Sequence, residues 1–230
     1  MPSVADIVNQ GLSRIGNTAF IDALTDATTE AAVATLQYDS NLRELLSARD
    51  WPFATRRAQL ADTGTSRNGW RHVYAAPADL VKPLAIPYPT AGTGLNAVSG
   101  AGILVDPLLF AGTPYVGIWT AYRNLRSDQR IPFRVERGDQ GGKVILCDYD
   151  SPELIYVGTV DDPNELPPLV VNALGWALAE EFAYAIQKEP QLGRVCKAEY
   201  EAALAEAYAA ELNGMREDRE PDSLILAARR

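Results

Sequence analysis

The sequence has few of the residues on which metal, redox and histidine chemistry depend. Its 230 residues include one histidine, His72, and two cysteines, Cys147 and Cys196. Two cysteines are too few for a disulfide-rich secreted scaffold. One histidine and two scattered cysteines also lack the spacing of a zinc site. The composition therefore predicts a protein that binds no metal and no cofactor.

Signals for membrane insertion and export are missing as well. No apolar run approaches the roughly 20 residues that cross a bilayer. The opening Met1–Asp6 lacks the basic region and apolar stretch of a signal peptide. We therefore expect a soluble protein that is made inside the cell and makes no membrane contact.

Basic residues are also fewer than acidic residues. The chain has 21 Lys and Arg against 30 Asp and Glu, a formal net charge of −9. An acidic surface repels nucleic-acid phosphates, so the charge excludes a protein that wraps DNA tightly. It does not exclude a protein past which DNA slides without binding.

Apolar spacing predicts a helix at the start of the chain. Apolar residues three and four positions apart run from Val4 to Ile15. Ser3 and Asp6 have the spacing of a capping box, and Gly16 stands where a helix C-cap belongs.

A second helix is predicted to open at Thr28 or Thr29 and to run to about Arg49. The segment Asp50-Trp51-Pro52-Phe53 ends it, because the residue before a proline avoids the helical conformation.

From Ala54 to about Val160, Gly and Pro separate short runs of β-branched, aromatic and other apolar residues, which is typical of small antiparallel strands. Residues 137–142 predict a hairpin turn, and Thr90–Gly102 predicts a flexible loop whose glycines do not match a dinucleotide-binding motif. The predicted strands are Ala54–Ala61, Trp70–Tyr74, Val81–Pro87, Ile103–Asp106, Tyr115–Arg123, Phe133–Glu136, Lys143–Tyr149 and Leu154–Thr159.

Two more helices are predicted, from Pro167 or Pro168 to about Lys188 and from about Leu192 to Leu212, with Glu189-Pro190 breaking the run. The fold class is therefore α+β, with the two helix pairs packed as an antiparallel bundle and the β-rich middle inserted between them. The predicted domains are 1–53, 54–160, 161–214 and an extended carboxy-terminal arm, 215–230.

The arm has little apolar surface with which to order itself. Fixing its 16 backbone residues costs on the order of 16–30 kcal/mol. Burying Leu224, Ile225 and Leu226 returns only about 2 kcal/mol each. We therefore expect the arm to require a partner surface that supplies further contacts.

Candidate catalytic groups are sparse. No GxSxG motif accompanies His72, so a structural role for this residue is favoured over a catalytic one. Both cysteines are predicted to be small core residues. Asp161 and Asp162 suit the start of a helix, and Glu180 and Glu181 point about 100° apart on one.

Asp148, Asp150 and Glu153 could suggest a calcium loop, but the glycine and the ligand order of an EF-hand are missing. Two alternatives involving charged residues stay open. A glycosidase would need two carboxyl groups facing one cleft, which the sequence does not exclude. The arginines are favoured as solvated strand edges over a rim that meets acidic partners or DNA. These arginines are Arg56, Arg57, Arg123, Arg126, Arg130, Arg134 and Arg137.

Several stretches together resemble the head-to-tail adaptor family of short-tailed phages, also called the tail tubular protein A family. The resemblance covers most of residues 3–212 in order, although each motif is short. The stretches are Ile7-Val8-Asn9-Gln10-Gly11-Leu12-Ser13-Arg14-Ile15-Gly16, Leu45-Leu46-Ser47-Ala48-Arg49-Asp50-Trp51-Pro52-Phe53-Ala54-Thr55, Pro77-Ala78-Asp79-Leu80, Arg134-Val135-Glu136-Arg137-Gly138-Asp139 and Leu166-Pro167-Pro168-Leu169.

The resemblance implies a non-enzymatic virion protein that forms a ring, commonly of twelve copies, between the portal of the capsid and the next tail component, a nozzle or tail tube. Double-stranded DNA would pass through the ring without specific binding. The protein would be made in the cytoplasm of the host bacterium and reside in the neck of the virion. The alternatives are a tail-associated polysaccharide hydrolase and a neck or terminator ring of a longer-tailed phage.

The arm is then the expected contact with the portal or a neighbouring subunit. Its predicted interface residues are Leu224, Ile225, Leu226, Arg229 and Arg230.

Overall fold

The computed structural model describes residues 3–67, 69–87, 130–139 and 141–214. Helices and antiparallel strands are both present, so the predicted α+β class is confirmed. The helices are α1 (Val4–Arg14), α2 (Thr29–Ala48), α3 (Pro168–Phe182) and α4 (Pro190–Gly214). The strands are β1 (Thr55–Gln59), β2 (Ala61–Asp62), β3 (His72–Ala75), β4 (Leu80–Ala85), β5 (Phe133–Arg137), β6 (Lys143–Cys147) and β7 (Glu153–Gly158).

The described residues divide into two compact units. The helical unit joins residues 3–55 to residues 158–214, and the strand unit consists of the described residues between Arg56 and Val157.

Both ends of α1 follow the sequence prediction. The Ser3 hydroxyl accepts from the Asp6 amide at 3.1 Å, and the Asp6 carboxylate accepts from the Ser3 amide at 2.8 Å, which completes the capping box. At the other end Gly16 has φ of 73°, and the amides of Gly16 and Asn17 donate to Ser13 and Leu12. This is a Schellman motif, in which glycine accepts the left-handed conformation at no steric cost.

Trp51 closes α2 and joins it to α4. Its side chain is fully buried, and Nε1 donates to the Leu45 carbonyl at 2.8 Å. The ring meets Tyr208 of α4 edge-on, with 5.8 Å between the ring centroids. The helix therefore ends where an aromatic side chain both satisfies a free carbonyl and fills the core.

Helix α3 lies at the centre of the helical unit and contacts α1, α2 and α4. Gly11 of α1 marks the closest approach to α3, because a Cβ there would lie 3.2 Å from the Gly175 carbonyl and from Leu178 Cβ. The buried α3 residues are Val170, Ala173, Leu174, Gly175, Ala177, Leu178, Ala179 and Phe182.

The same helix corrects one sequence expectation. Pro168–Gln187 covers 20 residues with a mean hydropathy of 1.3, so a segment long and apolar enough to cross a membrane does occur. Half of its apolar window is buried within the protein. A core helix of this kind passes the same test of length and composition, so the finding is weak evidence of a membrane segment.

The junction between α3 and α4 also differs from the prediction. A π-helical turn, Ala183–Gln187, follows α3, and Lys188 adopts a left-handed conformation with φ of 55°. Pro190 does not lie between helices but opens α4. A proline is tolerated there because the amides of the first turn need no intrahelical partner.

The strand unit contains two sheets, with strand orders β1-β7-β4 and β2-β3-β6-β5. In the second sheet β6 pairs antiparallel with β3 and β5, placing Ile145 opposite both Tyr74 and Val135. Both sheets contribute to one apolar core, whose buried residues are Leu60, Tyr74, Leu80, Ile86, Ile131, Ile145, Cys147, Leu154 and Tyr156.

One strand prediction changes, and others fall where the structure describes no residues. The predicted run Ala54–Ala61 is interrupted at Leu60, whose amide donates to Pro152 at 3.0 Å, so that β2 becomes a separate short strand. The predicted strands Ile103–Asp106 and Tyr115–Arg123, the loop Thr90–Gly102 and the arm 215–230 lie outside the described residues.

We predict that Trp51→Phe lowers the free energy of unfolding by about 2–3 kcal/mol, because it leaves the buried Leu45 carbonyl without its donor and opens a small cavity. Urea denaturation measures the change. Phe20→Leu is the matched control: this side chain is 57% exposed, and we expect a change below about 0.5 kcal/mol. Equal effects of the two substitutions would contradict the role given to Trp51.

Candidate functional site

The predicted interface residues Leu224, Ile225, Leu226, Arg229 and Arg230 lie outside the described residues, as do Arg123 and Arg126. The candidate site is therefore built from the charged groups of the two described units.

Charge is segregated between the units. The described residues of the helical unit include six Lys or Arg and seventeen Asp or Glu, a net charge of −11. Those of the strand unit include nine basic and seven acidic residues, a net charge of +2. The acidity of the chain thus belongs to its helices, which the overall charge did not reveal.

Part of this acidity is concentrated around Glu180 of α3. Burial raises the pKa of this carboxyl group, and the nearby carboxylates of Glu181, Glu44 and Glu201 act in the same direction. Lys197 of α4 opposes them, with Nζ 3.9 Å from Glu180 Oε1. Carboxylates from three helices therefore share one region with the ammonium group of Lys197.

Tyr200 lies in the same region. Burial, together with Glu44 and Glu180, raises the pKa of its hydroxyl to about 12. Burial likewise raises the pKa of the Cys196 thiol, and the side chain is 1% exposed. Neither group is ionised near neutral pH, which is consistent with structural roles.

Arg14 is the main basic contact between α1 and α3. It donates to the Asn172 carbonyl at 2.9 Å and to the Asn172 side chain, and its guanidinium lies 4.2 Å from the centroid of the Trp176 ring. Burial lowers the pKa of this group. Arg14 therefore fixes how α1 lies on α3.

In the strand unit Arg67 joins a hairpin to the preceding loop. It contacts Glu136 at 2.8 Å and Asp139 at 2.7 Å and donates to the Arg137 carbonyl at 3.2 Å. Glu136 also pairs with Arg134 at 3.1 Å. The stretch 134–139 is thus held by an arginine about 70 residues earlier in the chain.

The Pro77–Leu80 stretch forms a second charged contact. Asp79 pairs with Arg56 at 2.8 Å and accepts from the Tyr156 hydroxyl at 2.9 Å. Burial and Asp79 both raise the pKa of Tyr156. Asp79 thereby links β1 to β7 beside the turn that starts β4.

His72 lies between two carboxylates. Nδ1 is hydrogen-bonded to Asp62 Oδ2 at 2.9 Å. Nε2 lies 2.7 Å from Asp150 Oδ1, but this buried atom makes no hydrogen bond to any described residue, so the angle rather than the distance of that contact is unfavourable. The amide of Gly64 and, less strongly, His72 lower the pKa of Asp62. These contacts favour a structural role for His72.

The carboxylates considered for a calcium loop have separate partners. Asp148 accepts from the Arg71 amide at 2.8 Å, Asp150 faces His72, and Glu153 lies 3.6 Å from Arg57. Within the described residues, no group of three or more His, Cys, Asp or Glu side chains is placed to hold a metal ion.

Other predicted roles are confirmed. Asp162 caps a short 3₁₀ helix, Pro163–Glu165, by accepting from the Asn164 amide at 2.9 Å. Cys147 and Cys196 are both buried core residues. The described arginines Arg56, Arg57, Arg134 and Arg137 are exposed on the edge strands β1 and β5, as expected, and Arg130 is exposed as well.

No model of a known protein family matches the chain, and no curated protein matches it.

Sequence reasoning missed Arg14, Arg67 and Asp79 as contact residues. Each lies far in the sequence from its partner, and only Arg14 and Asp79 belong to stretches that the resemblance singled out. The difference in net charge between the two units could have been predicted from the sequence. Counting charged residues in each predicted domain already shows that the helical segments are the acidic ones.

We predict that Arg67→Ala lowers the free energy of unfolding by about 1–2 kcal/mol, because two carboxylates and a carbonyl lose a common donor. Arg67→Lys restores only part of the loss, since one ammonium group does not replace the planar guanidinium. Urea denaturation checks both variants. The matched control is Arg57→Ala, whose 65% exposed side chain should contribute less than about 0.5 kcal/mol.

We also predict that Glu180 makes stability fall as pH rises. Its pKa is higher in the folded protein, so the folded state holds an extra proton above the ordinary glutamate range, and raising the pH removes that advantage. Glu180→Gln should reduce the loss of stability between pH 4 and pH 7, and Lys197→Met should increase it. Denaturation at both pH values measures the effect, and parallel behaviour of all three proteins would contradict it.

Proposed function

We propose that the protein is a virion structural protein of a short-tailed phage, a head-to-tail adaptor that forms the neck ring between portal and tail. In this proposal it is not an enzyme. Its partners are further copies of itself, the portal protein and the next tail component, a nozzle or tail tube.

The observation that carries the proposal is the structural use of the resembling stretches. In the opening stretch the Asn9 side chain donates to the Ile21 carbonyl at 2.8 Å and accepts from the Ile21 amide at 2.9 Å. Arg14 of the same stretch binds α3. Trp51 of the second stretch contacts α4. Pro168 of the last stretch opens α3.

The two remaining stretches have comparable roles in the strand unit. Asp79 joins Arg56 to Tyr156, and Glu136 with Asp139 binds Arg67. The residues that carry the resemblance are therefore those that fix helix and strand positions, as expected if likeness in sequence reflects likeness in fold.

The finer architecture belongs to the same proposal. The contacts of α3 with α1, α2 and α4 support an antiparallel bundle of the two helix pairs. The strand unit is then the insertion between the pairs, and residues 215–230 form an arm that gains its order on assembly.

Charge segregation supports a path for DNA. A helical unit with a net charge of −11 repels phosphates, so double-stranded DNA slides past it instead of adhering. Ring closure requires head-to-tail contacts between unlike surfaces of neighbouring copies. Two units of different net charge provide unlike surfaces.

We predict that removing residues 215–230 weakens attachment to the portal ring by at least about tenfold, because three large apolar anchors are lost. Co-sedimentation with the purified portal ring of the same phage measures attachment. A full-length chain with Leu224, Ile225 and Leu226 changed to Ser should behave like the truncated chain.

The matched control is Ser223→Ala, which alters the arm without changing an apolar anchor and should leave attachment intact. Unchanged attachment of the truncated chain would contradict the arm's role, and no attachment of any chain would contradict the adaptor proposal itself.

A further inference from the structure

The hairpin of β5 and β6 ends in two positive charges that face each other. Arg137, the last residue of β5, is paired in the antiparallel ladder with Lys143, the first residue of β6. Residues directly opposite in such a pair have Cβ atoms about 5 Å apart, and like charges there are destabilising. Both residues are exposed. This pair is here called the basic tip.

The carboxylates of the hairpin are bound to other arginines. Glu136 pairs with Arg67 and Arg134. Asp139 pairs with Arg67 as well. Within the described part of the chain, neither member of the basic tip forms an ion pair. The repulsion between the two positive charges is therefore uncompensated, and carboxylates docked beside them would relieve it.

The helical unit has an excess of the opposite sign. Burial raises the pKa of Glu180, and three neighbouring carboxylates add to that effect, while Lys197 opposes it. The three are Glu181 of the same helix, Glu44 of α2 and Glu201 of α4. These four glutamates, here called the acidic cluster, exceed the charge of Lys197 by three when all are ionised. Glu44 and Glu201 are exposed, so the cluster is accessible from solvent.

The basic tip and the acidic cluster are complementary in charge. The tip supplies two long side chains that end in positive groups, and the cluster offers exposed carboxylates on two helices. The charges within each group repel one another, and the two groups attract. Because they belong to different units of the chain, contact between the tip of one copy and the cluster of another joins unlike surfaces. Each copy then keeps one group available for a further neighbour.

We propose that the basic tip, Arg137 with Lys143, docks on the acidic cluster of a second copy of this chain. The inference rests on the proposed function in one respect, since it names a contact through which neighbouring copies of the ring associate. It depends on neither the portal nor the next tail component.

Double-stranded DNA is a poorer occupant of the basic tip. Affinity for a duplex draws on many phosphate contacts, and the tip offers two cations. The carboxylates of Glu136 and Asp139 in the same hairpin repel phosphates. A second copy offers instead a helical unit whose described residues carry a net charge of −11.

Charge reversal followed by mixing tests the contact in the full-length protein. The tip variant is Arg137→Glu with Lys143→Glu, and the cluster variant is Glu44→Lys with Glu201→Lys. These positions are exposed, so we expect the fold to persist, which thermal unfolding checks. Sedimentation equilibrium at low ionic strength, where screening is weak, gives the association constant.

Each variant alone should associate about tenfold more weakly than the parent protein, the effect of losing two exposed ion pairs. An equimolar mixture of the two variants should recover most of the parent association. In the mixture, the unchanged tip meets the unchanged cluster, and the reversed tip meets the reversed cluster, so both contacts join opposite charges.

Two further variants serve as controls. Asp39→Lys with Asp161→Lys changes the net charge as the cluster variant does, at exposed positions outside the cluster, and should associate like the parent. The neutral pair Arg137→Gln with Lys143→Gln should weaken association less than the tip variant, because it removes attraction without adding repulsion.

Parent-like association of the tip variant would overturn the proposal, and its weaker binding to a short DNA duplex would then assign the basic tip to phosphates. A mixture that recovers nothing would overturn it too. So would recovery only in a chain that carries all four reversals, because the contact would then lie within one chain. A parent protein that stays monomeric at every concentration would also contradict it.

Co-sedimentation of the parent and the tip variant with the portal ring separates this inference from the adaptor proposal. Portal attachment without rescue in the mixture contradicts the contact between copies alone. Absence of portal attachment in both proteins contradicts the adaptor proposal, whatever the mixture shows.

Discussion

Helix α3 has apolar residues on nearly all of its sides, and the helical unit is organised around their burial. It contacts each of the other three helices. Gly11 permits the close approach of α1, while Arg14 donates to Asn172 and fixes the rotation of one helix against the other. Loss of a large buried side chain such as Leu174 would cost about 2–5 kcal/mol, a large part of the stability of an ordinary domain.

The strand unit is held together by apolar burial and by charged contacts. Its two sheets share a small apolar core, and charged contacts that join distant parts of the chain surround this core. Arg67 binds a hairpin, Asp79 joins Arg56 to Tyr156, and His72 lies between Asp62 and Asp150. Acidic and basic residues are therefore largely matched in this unit, whereas the helical unit has an excess of acid. In the proposed adaptor, the acidic unit is the part past which DNA slides.

Local features were predictable because their causes are local. Ser3 with Asp6, Gly16 and Thr28 mark helix ends through hydrogen bonds with close neighbours in the sequence. Contacts between distant residues were not predictable in this way. Leu60 ends β1 because its amide meets Pro152, and Arg67 finds its partners about 70 residues away. The role of Pro190 was also missed, because a proline that ends one helix is equally suited to begin the next.

The central claim is that this chain joins a portal ring, and the most direct test is the molar mass of the mixture by light scattering. The full-length chain is measured alone and together with the purified portal ring of its phage. The adaptor account predicts a stable complex whose mass exceeds that of the portal by about one copy of this chain per portal subunit. Separate elution of the two proteins, each at its own unchanged mass, would contradict it.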